Sequence, residues 1–261
     1  MAAEATAGMD RSDAVMSYVM HHVTDSQHWA LPFLDITLPP WISLHGVMLI
    51  IGAILLVALF AFAFRRPTPA PHGLANLLEV LVKFVRDQIA IANLGEEDGR
   101  KMAPLLCTFF FFILMLNLMG LVPLFATATG NVNVTAGLAL VTLAVMIFGA
   151  IYKNGMMGFL HAFVPHGVPW PILIVLVPIE FMGMFIKAFA LTIRLFANMF
   201  AGHIVIFSLI GLVVTYGAFA LPAIGLALAI YLLEILVAFL QAFVFTLLSA
   251  MFIAQIHHPA H

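Results

Sequence analysis

Apolar residues run along most of the chain in blocks long enough to cross a bilayer, and the polar residues between them mark where each block stops. A hydrocarbon core of about 30 Å asks for roughly 20 apolar residues per helix. The first such block is 42–64. It closes at Arg65-Arg66-Pro67, and the prolines from Pro67 to Pro71 cannot continue a helix. Residues 74–92 carry a different pattern, with Glu79, Lys83, Arg86 and Asp87 on one helical face and Leu78, Leu81, Val85 and Ile89 on the other. That predicts an amphipathic helix lying on the membrane surface, ended by a hydrophilic loop at Gly95–Lys101. The next span is 103–125, with Asn117 inside it and Pro123 near its end. A short uncharged loop, Ala126–Asn133, turns the chain into a span over 134–152, which stops at Lys153-Asn154-Gly155. Residues 156–169 are apolar but too short to cross, and with Pro165 and Pro169 they read as an interfacial or re-entrant piece. Two longer blocks follow, 171–216 and 222–256. Each exceeds a perpendicular crossing, so these helices tilt strongly or project beyond the bilayer.

The expected fold is an all-α polytopic membrane protein. It has five transmembrane helices and one amphipathic surface helix, the last two long helices forming a tilted antiparallel hairpin. A single membrane domain covers 42–256, after an N-terminal arm at 1–41 and before a tail at 257–261. Composition agrees: 64% of the residues are hydrophobic and 8% charged, whereas soluble domains carry about a quarter charged residues. The net charge of -2 says nothing about partners. Cys107, the only cysteine, lies in an apolar run and reads as a small buried hydrophobe. The arm holds Glu4, Asp10, Asp13, Asp25 and Asp35 against Arg11, and it lacks the basic-then-apolar order of a signal peptide. It reads as loosely structured and extracytoplasmic. His21, His22 and His28 there are read as scattered surface histidines rather than metal ligands, and neither metal nor cofactor is expected.

Basic residues fix the expected orientation. Arg65, Arg66, Lys83, Arg86, Arg100, Lys101 and Lys153 fall on one side, and Arg11 on the other. Five crossings then put the N-terminus outside and the C-terminus in the cytoplasm. The expected location is a bacterial inner membrane, with the mitochondrial inner membrane as the alternative.

The remaining two basic residues, Lys187 and Arg194, lie inside the last two spans with Glu180 and Glu234. A central arginine costs roughly 2.5 to 3.5 kcal/mol on insertion scales, so such groups mark function by default. Bland readings compete. Ser208, Thr192 and Ser249 suit hydrogen-bond glue between helices, and Lys187 can snorkel to the interface. Arg194 is too far from either end of its block to do so. At about 100° per residue, Glu180, Lys187, Arg194 and Asn198 share one stripe, while His203 faces the other way. Folded about a turn near Ala218–Phe219, His203 and Glu234 are equidistant from it, and Arg194 and Gln241 nearly so. One level then pairs an acid with an imidazole, and a second, about two turns deeper, pairs an amide with the arginine. Histidine titrates near neutrality, so His203 with Glu234 makes a proton relay toward the outer side. Glu180 lies toward the cytoplasmic end, with Arg194 between them.

The stretch Leu191-Thr-Ile-Arg194-Leu-Phe-Ala-Asn198-Met-Phe-Ala-Gly202-His203 resembles the signature of the subunit a family of F-type ATP synthases. Ile179-Glu180, Lys187, Leu116-Asn117-Leu-Met-Gly-Leu-Val-Pro123 and Leu240-Gln241-Ala-Phe243 match the same pattern, and the resemblance covers roughly residues 30–256. Some bacterial members carry the acid and the histidine at exchanged positions. Because the two face each other in the hairpin, exchange preserves the pair. The resemblance implies a non-catalytic, proton-conducting stator subunit that works against a ring of c subunits, each bearing a membrane carboxylate. It implies Arg194 as the essential cation facing that carboxylate. The outer half-channel would hold Asn198, His203, Glu234 and Gln241. The cytoplasmic one would hold Glu180, with Lys187 either joining it or snorkelling, and Asn117 is a further polar intramembrane residue. The implied partners are the c-ring, the subunit b stalk, the rest of the F1Fo complex, the lipid bilayer and the proton itself, with no nucleic acid. The acid–imidazole pair favours protons over sodium.

Three rival readings fit less well. A secondary transporter would show repeats and matched broken helices, a membrane metalloprotease a His-Glu-x-x-His motif, and a voltage sensor several arginines in series. None occurs, and His161 and His166 read as surface residues. The sequon at Asn133-Val-Thr135 lies at a helix start and is disregarded, and His257, His258 and His261 are taken as incidental.

Overall fold

The computed structural model describes residues 28–31, 34–37, 39, 43–65, 72–122, 125–161 and 170–257. Among the described residues, five helices are long and apolar enough to cross a membrane: α1 (Leu44–Ala63), α3 (Glu96–Leu121), α4 (Val132–His161), α5 (Trp170–Tyr216) and α6 (Leu221–His257). The amphipathic segment forms α2 (Leu74–Phe84), which widens into a π-helical stretch at Val85–Ile91 and closes with Ala92–Leu94. This is the all-α polytopic membrane architecture that the hydrophobic pattern predicts. At 1.5 Å per residue, the 47 residues of α5 reach about 70 Å, well beyond a hydrocarbon core.

Four details depart from the pattern. Ahead of the first span, β1 (His28–Leu31) and β2 (Leu34–Thr37) pair antiparallel, with His28 opposite Thr37 and Leu31 opposite Leu34. This part of the arm is therefore an ordered hairpin, while residues 1–27, with His21 and His22, lie outside the described residues. Secondly, the expected loop over Gly95–Lys101 is mostly helix. Gly95, at φ 80°, makes the break, and α3 begins at Glu96. Its acidic first turn suits the positive end of the helix dipole. Arg100 donates to Glu96 at 2.7 Å and Lys101 to Glu97 at 2.8 Å, one turn back along the helix. Thirdly, α3 stops at Leu121, ahead of the expected Phe125, two residues before a proline that cannot extend it. Fourthly, helix continues past Lys153 to His161, across a kink where Gly155 takes φ 71°, ψ 171°, a conformation open to glycine. The rest of the expected interfacial piece, 162–169, falls outside the described residues, as does 258–261.

The chain divides into two compact units. The first is Met1–Leu55, Ile113–Val134 and Leu195–Gln241, and the second is Leu56–Phe112, Thr135–Arg194 and Ala242–His261. In the first, Met48, Leu116, Leu195, Met199 and Ala238 are buried at the core. In the second, Val85 and Ile89 are buried with Leu106, Phe110 and Phe245, which seats the apolar face of the surface helix. Aromatic contacts tie that unit together: Phe109 meets Phe245 edge-on at 5.7 Å, and Phe84 lies 5.7 Å from Phe243. Thr142 and Ser249 share a buried hydroxyl contact at 3.1 Å, so Ser249 does join helices. Thr192 and Ser208 instead donate back to Ala188 and Ile204 of their own helix, which corrects their reading as glue. On the solvated face, the hydrogen bond from Arg86 holds the Asp87 carboxyl below its usual value. Large apolar side chains such as Phe62, Phe148 and Leu236 stand exposed, as they do where the solvent is lipid.

Candidate functional site

The polar residues of the first unit converge on α5 and α6. His203 Nδ1 stands 3.6 Å from Glu234 Oε1, with both side chains largely covered, at 12% and 7% exposure. The 3-10 turn at Gly217–Ala220 between the helices places the pair level, as their equal distance from the turn predicts. Close approach depends on Gly202. A Cβ there would overlap the Glu234 carboxylate and lie 2.8 Å from its Cδ. Both carboxylate oxygens are buried, with no protein hydrogen bond among the described residues. They border a pocket of about 160 Å³ that His203, Tyr231, Thr127 and Gly120 also line.

The imidazole is held on three sides. Nδ1 lies 2.9 Å from the Met199 carbonyl, one turn back. Nε2 lies 2.8 Å from both the Gly120 carbonyl and Thr127 Oγ1. A carbonyl only accepts, so each of these contacts is a hydrogen bond when that nitrogen carries hydrogen, and both are made at once by the doubly protonated ring. Tyr231, one turn before Glu234, donates to the Leu121 carbonyl at 3.2 Å and so ties α6 to the end of α3.

Further along the same helices, Asn198 donates to Gln241 Oε1 at 2.7 Å. Hairpin arithmetic gave Gln241 to Arg194. The structure gives it Asn198, one turn on, while Gln241 itself is buried. Asn117, fully buried, donates to the Ala238 carbonyl at 3.3 Å. Its role in the first unit is to join α3 to α6.

In the second unit the charged groups are more open. Arg194 is exposed, and no hydrogen bond or ion pair holds it within that unit among the described residues. Glu180 is half-buried. Lys187 donates to Gln255 Oε1 at 2.6 Å and stands 5.5 Å over the Phe252 ring, so it is engaged by the last turns of α6.

Sequence reasoning missed Thr127 and Gly120. Thr127 stands in the loop read as an uncharged turn, and a lone threonine there carries no periodic or charge signal. Gly120 lay inside the matched segment, but its significance is a carbonyl that only the folded chain aims at His203. Gln255, the partner of Lys187, was equally invisible among the apolar residues of the last span.

Comparison with known proteins bears on the whole of this region. Residues 46–254 match the family model of the ATP synthase A chain. ATP synthase subunit a of Chloroherpeton thalassium is 49% identical over 261 aligned residues, covering 93% of this chain and 77% of that protein. The subunit a of Myxococcus xanthus is 47% identical over 230 residues, covering 84% and 76%. That of Anaeromyxobacter dehalogenans strain 2CP-C is 47% identical over 221, covering 82% and 58%, so this chain spans little more than half of that relative's length. A family match over most of the chain, on a polytopic helical frame, shows that the chain belongs to the ATP synthase subunit a family.

Proposed function

We propose that this chain is the proton-conducting stator subunit of an F-type ATP synthase, non-catalytic by itself, and that it loads and unloads protons on a rotating c-ring through two offset half-channels. The observation that carries the reading is the contrast along α5: an exposed Arg194 without a partner in its own unit, and a covered His203–Glu234 pair beside a pocket in the other. On the outer path, a proton reaches the pocket and passes between Glu234 and His203, with Asn198 and Gln241 continuing the polar line. It then protonates a c-subunit carboxylate. After rotation it leaves through the cytoplasmic path, where Glu180 accepts it. Arg194 attracts the deprotonated carboxylate as it passes and keeps protons from crossing directly. Arginine suits that task because its guanidinium stays charged and does not relay protons. A potential of 100 mV is worth about 2.3 kcal/mol per proton, so a short circuit at this point would waste the gradient.

In this reading the membrane domain is 42–256, with the arm outside the cell and the tail in the cytoplasm of a bacterial inner membrane. The partners are the c-ring, the subunit b stalk and the F1 sector. The decisive experiment is Arg194→Ala in the complete complex reconstituted into liposomes. Proton-driven ATP synthesis is expected to fall to background while the complex still assembles. Synthesis at the unmutated rate would overturn the reading.

A further inference from the structure

The geometry points to Thr127 as a positioning residue of the outer proton path: its hydroxyl, together with the bare carbonyl of Gly120, fixes the His203 imidazole against Glu234 at the wall of the pocket. The inference rests on the proposed role of that pair.

Thr127 is 8% exposed and stands in the loop between α3 and α4, far in sequence from His203. Of the groups that hold the ring nitrogens, Met199 and Gly120 contribute backbone oxygens, and Thr127 contributes the one side chain. With hydrogen on Nε2, the ring donates toward Gly120 O and Thr127 Oγ1, each 2.8 Å from the nitrogen, and the threonine donates its own hydrogen to Gly120 O at 3.4 Å. Three groups thus form a closed triangle whose far corner is the relay imidazole. Gly120 is what lets the triangle form. A Cβ there would lie 2.9 Å from the Thr127 methyl and 3.1 Å from its hydroxyl, pushing the loop off the carbonyl that His203 needs. With the triangle intact, Nδ1 is left facing Glu234 and the Met199 carbonyl. Without the hydroxyl, Nε2 keeps the Gly120 carbonyl but loses the one side chain that holds it, so the ring is less tightly fixed against Glu234. The titratable groups that face this pocket are His203 itself, Glu234 and Tyr231.

The test is passive proton conduction in liposomes carrying the reconstituted complex with its F1 sector stripped, at matched amounts of assembled complex. Thr127→Val keeps the shape and removes the hydroxyl. Conduction is expected to fall about fivefold, the worth of one neutral hydrogen bond. Its pH at half-maximum should move as well. Thr127→Ser restores the hydroxyl and should return both readouts close to those of the unmutated protein. If the valine variant does not assemble, Thr127→Ala against Thr127→Ser at matched assembly carries the same comparison. Glu234→Gln is measured in the same preparation. If it blocks conduction while the valine variant behaves as unmutated, or the serine variant is no better than the valine, the inference about Thr127 is wrong by itself. If Glu234→Gln also conducts normally, the proposed outer path fails with it.

Discussion

In the unit that holds residues 195–241, His203 and Glu234 are largely covered and each ring nitrogen of the imidazole faces a backbone carbonyl. In the unit that holds residues 135–194, the charged side chains of α5 are exposed or half-exposed, and Arg194 has no partner there among the described residues. One continuous helix supplies both. Neighbours in the first unit meet the imidazole nitrogens, through the Thr127 hydroxyl and the Gly120 and Met199 carbonyls, and the space at Gly202 admits the Glu234 carboxylate, whose oxygens have no protein hydrogen bond among the described residues. An arginine inside a membrane is costly unless a charge meets it, and the unit that holds Arg194 supplies none among the described residues. The contrast therefore separates an acid–imidazole pair whose geometry its own unit makes from an arginine that, in the proposed function, meets the carboxylate of a c subunit.

The comparison breaks most sharply at Arg194. Its replacement by alanine is expected to abolish synthesis while leaving the fold intact, because no hydrogen bond or ion pair of its own unit depends on it. A thermal melt matching the unmutated complex, together with lost synthesis, would place its importance outside the chain. The His203–Glu234 pair should respond differently. His203→Glu and Glu234→His are each expected to lower proton conduction about 10²- to 10⁴-fold, the usual contribution of a positioned proton-transfer group. The double exchange should recover part of that loss, since the two positions face each other at 3.6 Å. A double variant worse than both singles would show that the pair is not interchangeable, and that the carbonyls around position 203 demand imidazole. Gly202→Ala ranks next. The added methyl overlaps only the end of the Glu234 side chain, which can swing aside, so the stability loss should stay at or below the usual overpacking range of about 1–3 kcal/mol. Conduction should fall more than stability does. Equal conduction with a lower melting temperature would mean that Gly202 serves packing alone.

The same contrast explains what could be read in advance. The five spans and the surface helix follow from apolar runs and their punctuation, because the bilayer enforces length and burial on each helix separately. The His203–Glu234 pair followed from symmetry about the turn, since a tight hairpin fixes register. Away from the turn, Gln241, the amide expected level with Arg194, accepts from Asn198. Charge pattern alone mistook the start of α3 for a loop. Its acids and bases are spaced one turn apart and stabilise a helix end rather than break it. Thr127 and Gly120 could not be found because their contribution is a hydroxyl and a carbonyl delivered from a loop, and no periodicity encodes where a loop returns.

Lys187 offers the smallest effect and the finest test of the comparison. It shares the α5 stripe with Arg194, so helical spacing alone would give both the same task. Its surroundings differ. The Lys187 ammonium donates to Gln255 at 2.6 Å and stands over the Phe252 ring at 5.5 Å, both within its own unit. An engaged, partly exposed lysine contributes at most about 1 kcal/mol through such contacts. Lys187→Met keeps the apolar stem and removes the charge. The expected result is a small drop in melting temperature, with proton-driven synthesis within about twofold of the unmutated complex, because the contacts removed are the chain's own. Should Lys187→Met instead lose synthesis as fully as Arg194→Ala, the stripe would act as a unit and the distinction between a self-satisfied cation and an open one would fall. Gln255→Leu separates the two outcomes further. It frees the lysine without removing its charge, and on the present reading it matches Lys187→Met in stability and leaves synthesis unchanged.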